Sequence, residues 1–170
     1  MSRKRIAIGV LAVFMSGIGA TALAQSKVSR VPLANSSFPI SEGVWVGDML
    51  YLSGMLDSSV AKGQPGDTET QTVHALENIR HALEEQHLSM GDVVLMHVYL
   101  AGDPAQGGKM DFAGFMKGYS QFFGTKDQPN KPARSAMQVA ALALPGALVE
   151  IEVTAVSSLS PNPQRAVLGK

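Results

Sequence analysis

One arginine and two glutamates in a short stretch are the residues of this chain best placed to do chemistry. From Lys131 to Ser157 the sequence reads KPARSAMQVAALALPGALVEIEVTAVS, with Arg134 as its only arginine and Glu150 and Glu152 as its only acids. Arg134, Ala136 and Gln138 alternate with Ser135, Met137 and Val139. Further on, Glu150, Glu152 and Thr154 alternate with Val149, Ile151, Val153 and Ala155. A period of two sends successive side chains to opposite faces of a strand. The stretch therefore predicts two strands joined by an apolar connection that contains Pro145 and Gly146. If the strands pair, Arg134 and one or both carboxylates share a polar face. That face is either an ion-pair surface or the floor of a small polar site, and alternation alone does not choose between them.

Other chemistries are poorly supplied. The chain has no cysteine and only 4 histidines, which are scattered without metal-ligand spacing, so a metal centre is not expected. His74 and His81 lie near one face of a predicted helix but have no third ligand. The glycines of Gly102 to Gly108, GDPAQGG, lack the spacing and the lysine-serine/threonine pair of a phosphate loop. No basic patch interleaved with aromatics points to nucleic acid.

The ends are set apart from the 170-residue whole. Arg3, Lys4 and Arg5 form a basic head, Ile6 to Met15 is almost wholly apolar, and Ala22 and Ala24 are small residues before Gln25. This is the pattern of a secretory signal peptide over 1–24 with cleavage after Ala24. A membrane anchor fits less well, because Ser16 and Gly17 interrupt an apolar run already short for a span. Cleavage would lower the basic residues from 14 to 11 against 14 acids, giving a mildly acidic periplasmic or secreted protein. Without cysteines it would stand on packing and oligomerisation. Residues 25–38 read as a polar lead-in, 39–157 as the folded domain and 158–170 as a fraying tail.

Within the domain, Val44 to Val46 and Met49 to Met55 predict a hairpin around Gly47-Asp48. A polar, glycine-rich loop spans Asp57 to Asp67. A helix is expected over Thr68 to Gln86, capped by Asp67 or Thr68, with Val73, Leu76, Ile79 and Leu83 as its apolar stripe. Val93 to Leu100, VVLMHVYL, predicts a strand covered on both faces, with His97 as a buried structural histidine. A second helix, about Met110 to Phe123, packs through Phe112, Phe115, Met116, Tyr119, Phe122 and Phe123. The order hairpin, helix, strand, helix, strand, strand gives an α+β fold: one mixed sheet with both helices on one face. Copies of the chain would cover the other face in a homo-oligomer.

The segments GVWVGDMLYLSGM, NIRHALEEQHLSMGDVV, DFAGFMKGYSQFF and PARSAMQVAALALPGALVEIEVTAV resemble the YjgF/YER057c/UK114 family, also called the reactive intermediate or imine deaminase (RidA) family. The likeness runs from about Pro39 to Ser157. It implies a chorismate-mutase-like fold and a homotrimer with a cleft at each subunit boundary. It also implies hydrolysis of 2-imino or 2-enamino acids to 2-oxo acids and ammonia, with no bound pyridoxal phosphate or other cofactor. By the same likeness Arg134 grips the substrate carboxylate, Glu150 positions or activates water, and backbone beside Ser53 and Gly54 meets the ligand. Glu152 is left as structural. Three positions depart from the family pattern: Ile40 replaces a tyrosine, Ala136 a cysteine, and Met116 a pocket-closing asparagine. The alternative implied by these departures is a trimeric, non-catalytic binder of small carboxylates or a chaperone-like protein.

Overall fold

A computed structural model describes residues 28–34 and 36–157. The expected leader, its cleavage site and the C-terminal tail lie outside the described residues. The strands are β1 (Val28–Pro32), β2 (Ser41–Val46), β3 (Met49–Leu52), β4 (Met55–Leu56), β5 (Val93–Leu100), β6 (Ala133–Gln138) and β7 (Val149–Val156). The helices are α1 (Thr68–Glu85) and α2 (Phe112–Tyr119). They form one mixed sheet in the order β1-β2-β3-β7-β5-β6, with β4 also paired to β7. The β5–β6 pair is parallel and is bridged by α2, whereas the other pairs are antiparallel.

Both helices lie on one face, because one apolar surface of the sheet matches the stripe of each. Ala75, Leu76, Ile79 and Leu83 of α1 and Phe115 of α2 pack on Leu50, Met96, Val98, Val149, Ile151 and Ala155, all fully or almost fully buried. At about 25 cal/mol per Å² of apolar surface, this layer is the main favourable term holding the sheet to its helices. Gly118 lets the helices approach closely, since a Cβ there would lie 2.8 Å from Thr72 Cβ. The α1 start is fixed by Asp67, whose carboxylate accepts from the Thr70 N–H at 2.8 Å.

Buried Gln71 ties α1 to the connection before β7. Its amide donates to the Gly66 and Gly146 carbonyls at 2.9 and 3.1 Å, and its oxygen accepts from Leu148 N–H at 2.8 Å. A buried amide with its groups satisfied is a rigid peg, and it holds the run into Glu150.

Several expectations change. The lead-in contributes a strand, β1, because Ser29 to Val31 find partners along β2. A further short strand, β4, continues along β7 after β3. The second helix stops at Tyr119, and Phe122 and Phe123 pack from the turn that follows. The largest change is that β6 and β7 do not pair: β5 lies between them.

Candidate active site

The insertion of β5 separates Arg134 from Glu150. In the β5–β6 register Arg134 stands beside Met96, which is fully buried on the helix side. In the β5–β7 register Glu150 stands beside Tyr99, and Glu152 beside His97, on the opposite, open face. Residues paired across a ladder point the same way. Arg134 and the two glutamates thus occupy opposite faces of one protomer, and the expectation that they share a face is overturned. On the edge strand β6 it is the Arg134–Ala136 side that turns toward the helices.

The cationic half is built on β6 and α2. The Arg134 guanidinium lies 4.3 Å from the ring centre of Tyr119, 5.0 Å from that of Phe115 and 6.0 Å from that of Phe112. Aromatic faces attract a planar guanidinium and fix its plane. Its Nη1 is buried without a hydrogen-bond partner, and no carboxylate pairs with it among the described residues. A buried donor left unpaired costs about 1–3 kcal/mol, more for a charged group, so this nitrogen is suited to an anion supplied from outside. Burial raises the Tyr119 phenol pKa despite the nearby guanidinium, which keeps this wall neutral. Ala136, on the same side of β6 as Arg134, and Met116 of α2 both pack partly buried against the core.

The acidic half is built on β7 and on the break between β3 and β4. Between the pairs Tyr51–Thr154 and Met55–Ile151, the residues Leu52, Ser53 and Gly54 face only Glu152 and Val153. This is a bulge, which bends a strand and re-aims its groups. Ser53 anchors it, with its N–H donating to Glu42 O at 2.9 Å and its hydroxyl to Ser41 O at 2.7 Å. Ser53 therefore acts here as the turn's fastening. Gly54 lies against the Glu150 carboxylate, and a Cβ on Gly54 would overlap it. Burial, and then the charge of Glu152, raise the Glu150 pKa above the ordinary carboxylate range, which suits a group that must both take and return a proton. Ile40 sits just before Ser41 at the edge of this half, 54% exposed.

Sequence reasoning missed the groups around Glu152. His97 is half-exposed on the open face and not buried in the protomer. Its Nδ1 lies 2.7 Å from Glu152 Oε1, and the Tyr99 hydroxyl donates to the same oxygen at 3.0 Å. A carboxylate is acceptor-only, so Nδ1 carries the proton in that bond. The signal was the alternation Leu95, His97, Tyr99, obscured by the apolar Leu95 in the same register. Buried Asp57 was also missed. It accepts from Ser59 N–H at 2.8 Å and from His74 Nδ1 at 2.9 Å.

Two concavities of the single protomer, among the described residues, contain neither Arg134 nor Glu150. One of about 230 Å³ lies on the open face between Tyr51, Leu95, His97, Glu152 and Thr154. Another, of about 410 Å³, lies near Arg80, Met90 and Asn130.

Comparison with known proteins gives these halves a context. The family described as Endoribonuclease L-PSP matches residues 32–157. A RutC family protein of Saccharolobus solfataricus is 36% identical over 122 residues, covering 71% of this chain and 88% of that protein. The Escherichia coli protein named "Putative reactive intermediate deaminase TdcF" is 35% identical over 121 residues, again covering 71% and 88%. The crystal structure of E. coli TdcF with bound serine aligns at a TM-score of 0.60 and 34% identity, over 76% of this chain and 94% of that one. A Mycobacterium tuberculosis member of the YjgF/YER057c/UK114 family aligns at 0.60 and 26% identity, over 77% of this chain and 100% of that one.

Proposed function

From its membership of the Endoribonuclease L-PSP family, with the YjgF-type α+β fold, we propose that this chain hydrolyses 2-imino or 2-enamino acids to 2-oxo acids and ammonia. The observation that carries the reading is the buried, unpartnered Nη1 of Arg134, together with a carboxyl, Glu150, whose proton affinity is raised. The guanidinium fork matches a substrate carboxylate in a two-pronged pair.

Glu150 takes a proton from water as the water oxygen bonds to the imine carbon, and the C=N π electrons move to nitrogen. The same carboxyl then returns the proton to that nitrogen. On a protonated imine this gives a carbinol bearing an ammonium group. The C–N bond then breaks with its electrons leaving on ammonia, and the carbinol hydroxyl passes its proton to the Glu150 carboxylate, and from there to solvent, as the 2-oxo group forms. Protonation of the imine makes its carbon electrophilic, so one carboxyl that shuttles a proton is sufficient.

Because Arg134 and Glu150 face opposite ways in one protomer, the site we propose closes between copies: Arg134 comes from one and Glu150, beside Ser53 and Gly54, from its neighbour. A homotrimer with such a cleft at each boundary fits the family fold and would also cover the open sheet face. Imine generated in situ by an amino acid oxidase should disappear faster in the presence of the protein. Equal rates with the wild type and with Arg134→Ala would refute the assignment.

A second reading, carboxylate binding without turnover, is favoured by the apolar Ile40, Ala136 and Met116 around the two halves. Calorimetric binding of a 2-oxo acid without imine hydrolysis would select it. Export by a leader cleaved near Ala24, to the periplasm or the exterior, is also part of the proposal. The N-terminal mass of the protein recovered from intact cells tests it.

A further inference from the structure

Both halves of the site are bordered by exposed apolar side chains. Beyond the aromatic bed of Arg134, Phe112 at the start of α2 remains 42% exposed, and Met116 and Ala136 add no polar atom to that side. On the acidic half, Ile40 and Phe38 are 54% and 73% exposed next to Ser41, the residue that fastens the bulge beside Glu150. The Ser53 hydroxyl there already donates to the Ser41 carbonyl. Large apolar groups that the single protomer exposes at the two places proposed to share one ligand are matched by a ligand with apolar surface of its own.

We propose that the site prefers carboxylates with a bulky apolar side chain, aromatic or branched aliphatic, over those with a small or hydroxylated one. The inference rests on the reading above, in which Arg134 and Glu150 hold one imino acid between them. A hydroxylated side chain would leave water for a border made largely of Phe112, Met116, Phe38 and Ile40, and these side chains would not replace a lost hydrogen bond. An apolar side chain gains about fourfold in affinity for each methylene removed from water. Preference for a branched or aromatic side chain over a methyl group should therefore reach about tenfold or more.

The experiment measures calorimetric binding of four 2-oxo acids to the full chain: phenylpyruvate, 4-methyl-2-oxopentanoate, pyruvate and 3-hydroxypyruvate. Imine hydrolysis is followed in parallel with the corresponding amino acids and an oxidase. Tighter binding of the first pair by about tenfold, lost in Arg134→Ala, supports the inference. It does so even if no imine is turned over, in which case only the deaminase reading fails. Hydrolysis without preference between the pairs overturns the inference and leaves that reading standing. Failure of all four to bind, with no imine hydrolysed, overturns both. Ile40→Ser, at an exposed position where folding is not at risk, and Met116→Asn should narrow the preference. An unchanged ratio in both variants assigns the discrimination elsewhere and overturns the role given to these borders.

Discussion

Arg134 and Glu150 stand on opposite faces of one sheet, with β5 between their strands. This relation makes the proposed site a property of two copies. It predicts that two inactive variants, Arg134→Ala and Glu150→Gln, recover activity when co-assembled in equal amounts. Each boundary needs an intact Arg134 on one side and an intact Glu150 on the other. Random assembly supplies that combination at about a quarter of boundaries. Turnover per protomer should reach about that fraction of wild type. A mixture as inactive as its components would place both groups in one protomer's site.

Arg134→Lys is expected to fail as a conservative change. Lysine keeps the charge but loses the planar stacking on Phe115 and Tyr119 and the two-pronged grip. We expect kcat/KM to fall about 100-fold, equivalent to about 2.7 kcal/mol of transition-state binding, with little change in the thermal midpoint. Steady-state kinetics and a melt on the same preparation check both parts.

The pattern in the sequence was informative where one surface was buried and one was not. The stripe of α1, its Asp67 cap, the bounds of β5 and the alternation along β7 all follow from burial on a single side. Facing was harder at the sheet edge. On β6 the side chains alternate as expected, yet the side carrying Arg134 turns inward, because three aromatic rings of α2 offer the guanidinium a bed. Such a contact joins residues far apart in the chain and leaves no local period. The bulge at Ser53 and Gly54 was equally hidden, since its extra residue exists only relative to β7. The family resemblance picked out Arg134 and Glu150 as a pair, whereas their placement on opposite faces needed the strand order.

Glu150 should make stability depend on pH. Burial first, and then the neighbouring Glu152 charge, raise its folded-state pKa above the ordinary 4.5. The folded protein then holds its proton more tightly than the unfolded chain, so stability falls as pH rises from that ordinary value through the raised one. Glu150→Gln removes the penalty. Urea titrations should find the variant more stable than wild type at neutral pH, with the difference vanishing as pH falls below the ordinary value. A constant difference across the series would show that ionisation is not its source.

Asp57 works in the opposite direction. Burial would raise its pKa, but the bonds from His74 and from Ser59 outweigh that and lower it below 3.8. Its stabilising contribution is therefore present above the ordinary value and lost as pH falls through the lowered one. Asp57→Ala leaves the Ser59 N–H and the His74 ring without their acceptor. Denaturant melts at neutral pH should show a loss of about 1–3 kcal/mol, shrinking in acid. An equal loss at every pH would point to packing alone.

Gly54→Ala separates catalysis from folding most cleanly. A Cβ at Gly54 would lie 2.9 Å from Glu150 Cδ and overlap the carboxylate itself. The atoms in its way are the end of a flexible side chain, so the fold can yield at small cost, below about 1 kcal/mol by comparison with ordinary overpacking. The carboxyl, however, must leave the place from which it would meet water and substrate. Displacement of a catalytic group by about 1 Å is enough to cost about 100-fold in rate. The variant should melt near wild type and still bind a 2-oxo acid through Arg134, but turn imine over about 100-fold more slowly. Full activity in Gly54→Ala would mean that Glu150 does its work from another position, or does none.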